Sequence, residues 1–269
     1  MFVDSHCHLS FPELRTQLPD ILQAMQAAQV SKALCICTTL EEFDQVQALA
    51  QAHDNLWATV GVHPDNEGVR EPTFEALLSL AARPRVVGIG ETGLDYYRLG
   101  DRTLADMEWQ RERFRVHIRA GRATDLPLVI HTRSASADTL AILKEEGGFD
   151  SAQSVDQAIS RGVFHCFTET IDVARAALDL DFYISFSGIL TFKNAADLRE
   201  VARFVPLDRC LIETDSPYLA PVPYRGKTNN PSYVPHVAQQ LAAIKGLGVD
   251  DVAEATTANT LRLFSGMAV

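Results

Sequence analysis

Histidine and carboxylate are the side chains that hold divalent cations, and in this chain they recur at one kind of position. Asp4-Ser5-His6-Cys7-His8 places two imidazoles two residues apart. Side chains alternate along a strand, so an extended backbone turns His6 and His8 to one face, and Ser5 and Cys7 to the other, toward a covering layer. Further candidates follow short apolar runs: Glu91 after Val86-Val87-Gly88-Ile89-Gly90, His131 after Leu128-Val129-Ile130, His165 after Gly162-Val163-Phe164, and Asp215 after Leu211-Ile212-Glu213-Thr214. His63 follows Val60-Gly61-Val62 in the same way. Each alone fits an ordinary role, such as a hydrogen-bonded rim histidine or a solvated loop carboxylate. Together His6, His8, Glu91, His131, His165 and Asp215 form a nitrogen and oxygen set suited to Zn²⁺, Mn²⁺ or a similar ion. That is too many ligands for one tetrahedral site. It suits two ions roughly 3.5–4 Å apart with a carboxylate between them.

Residues so far apart in sequence need a scaffold that gathers strand ends. Apolar or β-branched runs occur at 2–8, 33–38, 56–62, 85–90, 127–131, 162–167, 182–186 and 210–214, with helical patterns between them, as at about 20–29 and 104–124. Short continuous apolar runs alternating with helices indicate a parallel sheet covered on both faces. Eight such units predict a TIM-type (β/α)₈ barrel, with residues 1–269 as a single domain. An open doubly wound sheet is the competing topology, and no Gly-x-Gly-x-x-Gly after a strand supports it. In a barrel the C-terminal strand ends converge on one face, which is where the histidines and carboxylates fall.

The 269 residues carry 24 Lys+Arg against 35 Asp+Glu, a formal charge of −11, and are 46% hydrophobic. That apolar content excludes disorder as the dominant state. The charge excludes coating of nucleic acid by bulk electrostatics, though not an enzyme that takes a nucleic-acid end into a local site. No apolar run approaches the roughly 18–20 residues of a membrane span, and Met1-Phe2-Val3-Asp4 does not read as a signal peptide. Cys7, Cys35, Cys37, Cys166 and Cys210 lie in apolar segments and are odd in number, so a reducing cytoplasm is expected rather than a disulfide framework. Cys7 and Cys166 read as packing residues turned away from the metal. His53 and His117 read as surface or packing residues of helices, and His236 is given no role. Oligomeric state is not legible, and a monomer is compatible with everything above.

Asp4-Ser5-His6-Cys7-His8-Leu9, Val60-Gly61-Val62-His63-Pro64, Gly90-Glu91-Thr92-Gly93-Leu94-Asp95-Tyr96, His131-Thr132-Arg133, His165-Cys166-Phe167, Glu213-Thr214-Asp215-Ser216-Pro217 and Arg225-Gly226-Lys227-Thr228-Asn229 follow one another along the chain. In this order they resemble the TatD family of metal-dependent hydrolases, a DNase-like branch of the amidohydrolase superfamily. The resemblance runs nearly end to end, through Thr256-Thr257-Ala258-Asn259. It implies a TIM-type barrel and two divalent ions (Zn, Mg or Mn). By its motifs His6, His8, Glu91 and Asp215 would hold one ion, and Glu91, His131 and His165 the other, with Glu91 as bridge. It also implies 3′→5′ exonuclease action on single-stranded DNA. Two departures stand out. Thr168-Glu169 replaces the usual Ser-Gly after His-Cys-Phe, and the stretch after Gly147-Gly148 is longer than usual.

The expected chemistry is hydrolysis by water whose pKa the ions lower from 15.7 toward about 7. Asp215 is the candidate general base as well as a ligand, and Glu91 is its partner in catalysis. His63 is a candidate for supporting a ligand or contacting substrate phosphate, and Glu213 for standing behind the ligands. Arg133, Arg225 and Lys227 are candidate phosphate contacts. Tyr96, Tyr97, Tyr218 and Tyr224 are candidate base-stacking residues. Two other functions compete with a deoxyribonuclease acting on DNA ends: a binuclear hydrolase of an amide or lactone, and a metal-binding protein without catalysis. In the superfamily a bridging lysine is common among amide and ester hydrolases, whereas Glu91 occupies that position here, which favours the phosphodiesterase.

Overall fold

The computed structural model describes residues 1–149 and 158–268. The longer stretch expected after Gly148 runs through 150–157, outside the described residues. Strands β1 (Phe2–Cys7), β2 (Val30–Cys35), β3 (Leu56–Val60), β4 (Val86–Asp95), β5 (Leu128–Arg133), β6 (Gly162–Phe164), β7 (Tyr183–Phe186) and β8 (Cys210–Ile212) pair in parallel in chain order. Helices fill the connections, and the result is the expected TIM-type barrel.

One apolar residue from every strand points into the barrel: Val3, Leu34, Trp57, Val87, Val129, Val163, Tyr183 and Leu211 form one buried cluster with Phe264 and Met267. The other strand face packs against the helices in a second, larger cluster. The helix Glu108–Thr124 shows the pattern. Arg113, Phe114, His117, Ile118 and Gly121 recur at three- and four-residue spacing on its buried face, and it ends at Asp125 in the left-handed conformation.

The ring closes between β8 and β1 largely through side chains. Asp4 accepts the backbone N–H of Thr214 at 2.9 Å and its hydroxyl at 2.5 Å, and the Ser5 hydroxyl donates to Ile212 O at 3.0 Å. Two backbone bonds complete the seam, His8 N–H to Ser216 O at 2.9 Å and Asp215 N–H to His6 O at 3.0 Å. Burial pushes the Asp4 carboxyl up to about 8 against the lowering effect of these bonds.

Some strand limits differ from expectation, and the backbone says why. β6 and β8 stop short of 167 and 214, and just beyond them Cys166 and Asp215 take positive φ, 41° and 55°. The chain there turns out of the ladder. β4 instead continues past Glu91 to Asp95, so Glu91 lies within a strand rather than at its end. Gly93 permits this, because with φ at +129° it packs so near β5 that a Cβ would lie 2.0 Å from His131 O. Ser5 does not face the helical layer. Its hydroxyl lies 3.3 Å from that of Ser185, on the same strand face as the inward Tyr183. A register irregularity between Asp4 and Cys7 changes the phase of β1, so simple alternation fails there.

Candidate metal centre

Within the bowl at the strand ends, four side-chain atoms gather around one point. His6 Nε2 lies 3.2 Å from His8 Nε2, 3.4 Å from Glu91 Oε2 and 3.6 Å from Asp215 Oδ1. His8 Nε2 lies 3.9 Å from that Glu91 oxygen and 3.5 Å from that Asp215 oxygen. Tetrahedral bonds of about 2.1 Å to a divalent ion place ligand atoms about 3.4 Å apart. The measured edges scatter around that value, so the residues fit one ion.

A second group faces the other oxygen of the same carboxylate. Glu91 Oε1 lies 2.7 Å from His165 Nε2, 3.2 Å from His131 Nδ1 and 3.3 Å from His63 Nε2. The contact at 2.7 Å lacks hydrogen-bond geometry, and His165 Nε2 is buried without a hydrogen-bond partner among the described residues. Glu91 thus divides its two oxygens between two sets of imidazoles, as a bridging carboxylate would. His63 stands as near to Glu91 as His131 does, closer in than a phosphate contact at the rim requires. The His6 and His165 rings stack at 3.9 Å, 9° from parallel, which ties the two groups together.

Electrostatics follow from this crowding. Burial opposes the charge on Glu91, but His165, His63 and His6 and the hydrogen bond from His131 outweigh it, holding the carboxyl well below the usual range. Burial pulls His6 and His63 below the ordinary histidine value. Asp215 is held low as well, burial being outweighed by its hydrogen bond with His8 and the charges of His6 and His165.

The surrounding residues fix these rings in place. Glu213 Oε1 lies 3.2 Å from His165 Nδ1, behind the ring. Asp95 does the same for His131, 3.0 Å from Nε2. Asp95 was not among the expected site residues, although it lies four residues beyond Glu91 on a continuous strand, hence on the same face.

Of the expected rim residues, Arg133 lines the cavity of about 680 Å³ above the centre, together with Tyr218, His63 and Arg98. Arg225 and Lys227 do not. The Arg225 guanidinium lies 3.7 Å from the centre of the Phe192 ring, and Lys227 lies 5.6 Å from that of Tyr224. Tyr224 is itself stacked on Tyr233 at 4.0 Å. Tyr96 is buried and donates to Asp138, so it offers no stacking face, whereas Tyr97 is exposed. Cys7 packs among the helices, its thiol toward Leu34 O. Cys166, expected to turn away, lines the cavity instead, because its positive φ ends the strand alternation. Glu169 is half-buried beside Ser136 and Ser134, and burial raises its carboxyl.

A parallel barrel with histidines and carboxylates converging at its C-terminal face defines a metal-dependent hydrolase. The profile of the family described as TatD related DNase matches residues 3–265, and the chain belongs to that family. It is 47% identical over 266 residues to the "uncharacterized metal-dependent hydrolase YcfH" of Escherichia coli (strain K12), spanning 97% of this chain and 95% of that one. It is 34% identical over 251 residues to the "3′-5′ ssDNA/RNA exonuclease TatD" of Citrobacter rodentium, spanning 91% and 90%. Among solved structures, the TatD homolog YjjV of Escherichia coli K12 superposes with a TM-score of 0.86 at 27% identity, covering 98% of each chain.

Proposed function

We propose that this hydrolase is a two-metal deoxyribonuclease that removes nucleotides from the 3′ end of single-stranded DNA. The observation that carries the reading is the division of Glu91, with Oε2 toward His6 and Oε1 toward His131 and His165. In this reading His6, His8, Glu91 and Asp215 would hold one ion, and Glu91, His131 and His165 would hold the other, with His63 beside them. Zn²⁺, Mn²⁺ and Mg²⁺ are the candidates. When bound, such a pair supplies Lewis acidity to a phosphoryl oxygen and lowers the pKa of water toward neutrality.

The chain's own groups do the rest. Asp215, held ionised beside His8, orients the attacking water and accepts its proton. Glu213 and Asp95 keep the His165 and His131 rings aimed. Arg133, at the rim, supplies a planar cation suited to phosphate. The 34% sequence identity to a protein named "3′-5′ ssDNA/RNA exonuclease TatD" supports the substrate class.

We read the chain as one domain acting in the cytoplasm. The five cysteines are free and mostly buried, which suits a reducing compartment, and no helix among the described residues is long and apolar enough to cross a membrane.

The test is a time course on single-stranded and 3′-recessed DNA labelled at the 5′ end, with Mn²⁺ or Mg²⁺, with EDTA, and with Asp215→Asn. A ladder shrinking from the 3′ end, lost with EDTA and with the variant, is expected. Metal-loaded protein that leaves DNA intact and turns over a lactone or amide would overturn the reading.

A further inference from the structure

The cavity over the metal centre has two unlike walls. Strand order places β8 beside β1, and β4 and β5 half a turn away around the ring. The connections leaving β1 and β8 bring Phe11, Tyr218 and Leu219 to the cavity, and the connection leaving β4 and the end of β5 bring Arg98 and Arg133. The aromatic and cationic residues therefore face each other across the ligands.

Each wall is built for its character. Phe11 lies on the His8 ring at 4.7 Å and 19°, and meets Tyr218 edge-on at 6.5 Å. Tyr218 stays 55% exposed, an unusual amount of open aromatic surface for a cavity wall. Neither Phe11 nor Tyr218 brings a cation to this wall, so it offers a neutral aromatic face suited to a base rather than to a phosphate. Opposite, the Arg133 guanidinium lies 3.6 Å from the centre of the exposed Tyr97 ring, a cation–π contact that steadies a planar cation suited to an anion. Arg98 stands nearby with its charge only loosely matched by Asp65, at 3.9 Å. Among the described residues lining this cavity, Arg98 and Arg133 are the only lysines or arginines.

We propose that this opposed polarity fixes the direction in which a strand lies across the metal centre. The base of the 3′-terminal nucleotide stacks on the Phe11–Tyr218 wall, and the phosphate one step inward from the scissile phosphate pairs with Arg133, with Arg98 flanking. The inference rests on the phosphodiester reading above and deepens it. The preferred substrate has an unpaired terminal base and at least two phosphates, so a duplex end or a single-phosphate ester forfeits one wall.

The experiment compares TpT, TpTpT, and TpTpT lacking the 3′-terminal base, in metal-loaded wild type, Tyr218→Ala and Arg133→Gln. Initial rates are measured, and equilibrium binding is measured with the scissile linkage as a phosphorothioate that slows cleavage. Arg133→Gln should raise KM and Kd for TpTpT by about tenfold more than for TpT, since only TpTpT carries the second phosphate. Tyr218→Ala should weaken TpTpT by about tenfold and act far less on the analogue without the base. Equal effects of Arg133→Gln on TpT and TpTpT, or of Tyr218→Ala with and without the base, would overturn the proposal. Binding with this pattern but no turnover would instead overturn the hydrolytic reading and leave the polarity standing.

Discussion

Nε2 of His117 accepts the backbone N–H of Val62 at 3.0 Å, one residue before His63. Four residues earlier on the same helix, the buried Arg113 donates to the carbonyls of His63 and Asn66, each at 2.8 Å, and pairs with Glu71. One helix face thus holds the segment after β3 that presents His63 to Glu91. Polar residues at helical spacing do here what a strand does elsewhere in the bowl.

His117 gives this clamp a pH dependence. Its Nδ1 lies 2.7 Å from Arg113 O and donates there, and burial pulls its pKa down to about 4 from 6.5. Between those values the unfolded chain binds a proton that the native ring refuses, so stability falls as pH drops through that window. A difference of that size corresponds to about 3 kcal/mol. Urea unfolding at pH 7.5 and 4.5 should show a smaller acid loss in His117→Gln than in wild type. Equal losses would remove His117 from the account.

Glu91→Gln tests the bridge. An amide offers one oxygen where the carboxylate offers two, and the site loses the charge that balances two cations. Elemental analysis after metal loading and gel filtration should fall from two ions per chain to one or fewer. Two ions retained would exclude Glu91 as the shared ligand.

Asp95→Asn probes a residue placed behind a ligand. With its carboxylate 3.0 Å from His131 Nε2, Asp95 sets the orientation of that ring. Partners of this kind typically carry a 10- to 100-fold effect on metal affinity or activity. A metal titration should show one of two ions weakened by about that factor while the fold, by circular dichroism, stays intact. Unchanged affinity for both ions would confine Asp95 to packing.

Gly93→Ala should cost far more than Gly68→Ala. Both glycines have positive φ, but a Cβ at Gly93 would meet His131 O at 2.0 Å, whereas at Gly68 it would meet nothing within 4 Å among the described residues. The Gly68 variant carries only backbone strain, about 1 kcal/mol. The Gly93 variant must also push β4 and β5 apart beneath two ligands, and a loss of at least about 3 kcal/mol is expected. Chemical-denaturation midpoints decide it, and similar values for both would contradict the close approach of the strands.

The barrel was legible because buried parallel strands need continuous apolar runs, and stretches such as Ala33-Leu34-Cys35 or Leu128-Val129-Ile130 suit little else. The six candidate ligands were legible because polar residues at the ends of such runs are out of character, and the structure brings all six together. Less legible was whatever depended on departures from ideal strands. The irregularity in β1 put Ser5, inward like Val3, out of phase with Cys7, and the positive φ at Cys166 brought that side chain to the cavity. The destinations of Arg225 and Tyr96 were set by tertiary partners, Phe192 and Asp138, which no local pattern announces.

The seam between β1 and β8 bears on when the site comes into being. His6 and His8 lie near one end of the described chain and Asp215 near the other, joined through contacts such as that of Ser5 with Ile212, 207 positions apart. During synthesis the first half of the centre therefore stays incomplete until β8 has left the ribosome, long after Glu91, His131 and His165 have emerged. Stalled chains in which residue 216 lies inside or outside the ribosome should differ sharply in metal retention, and equal retention would contradict this order. Metal uptake would then act as a late checkpoint, marking a polypeptide whose last strand has reached its first.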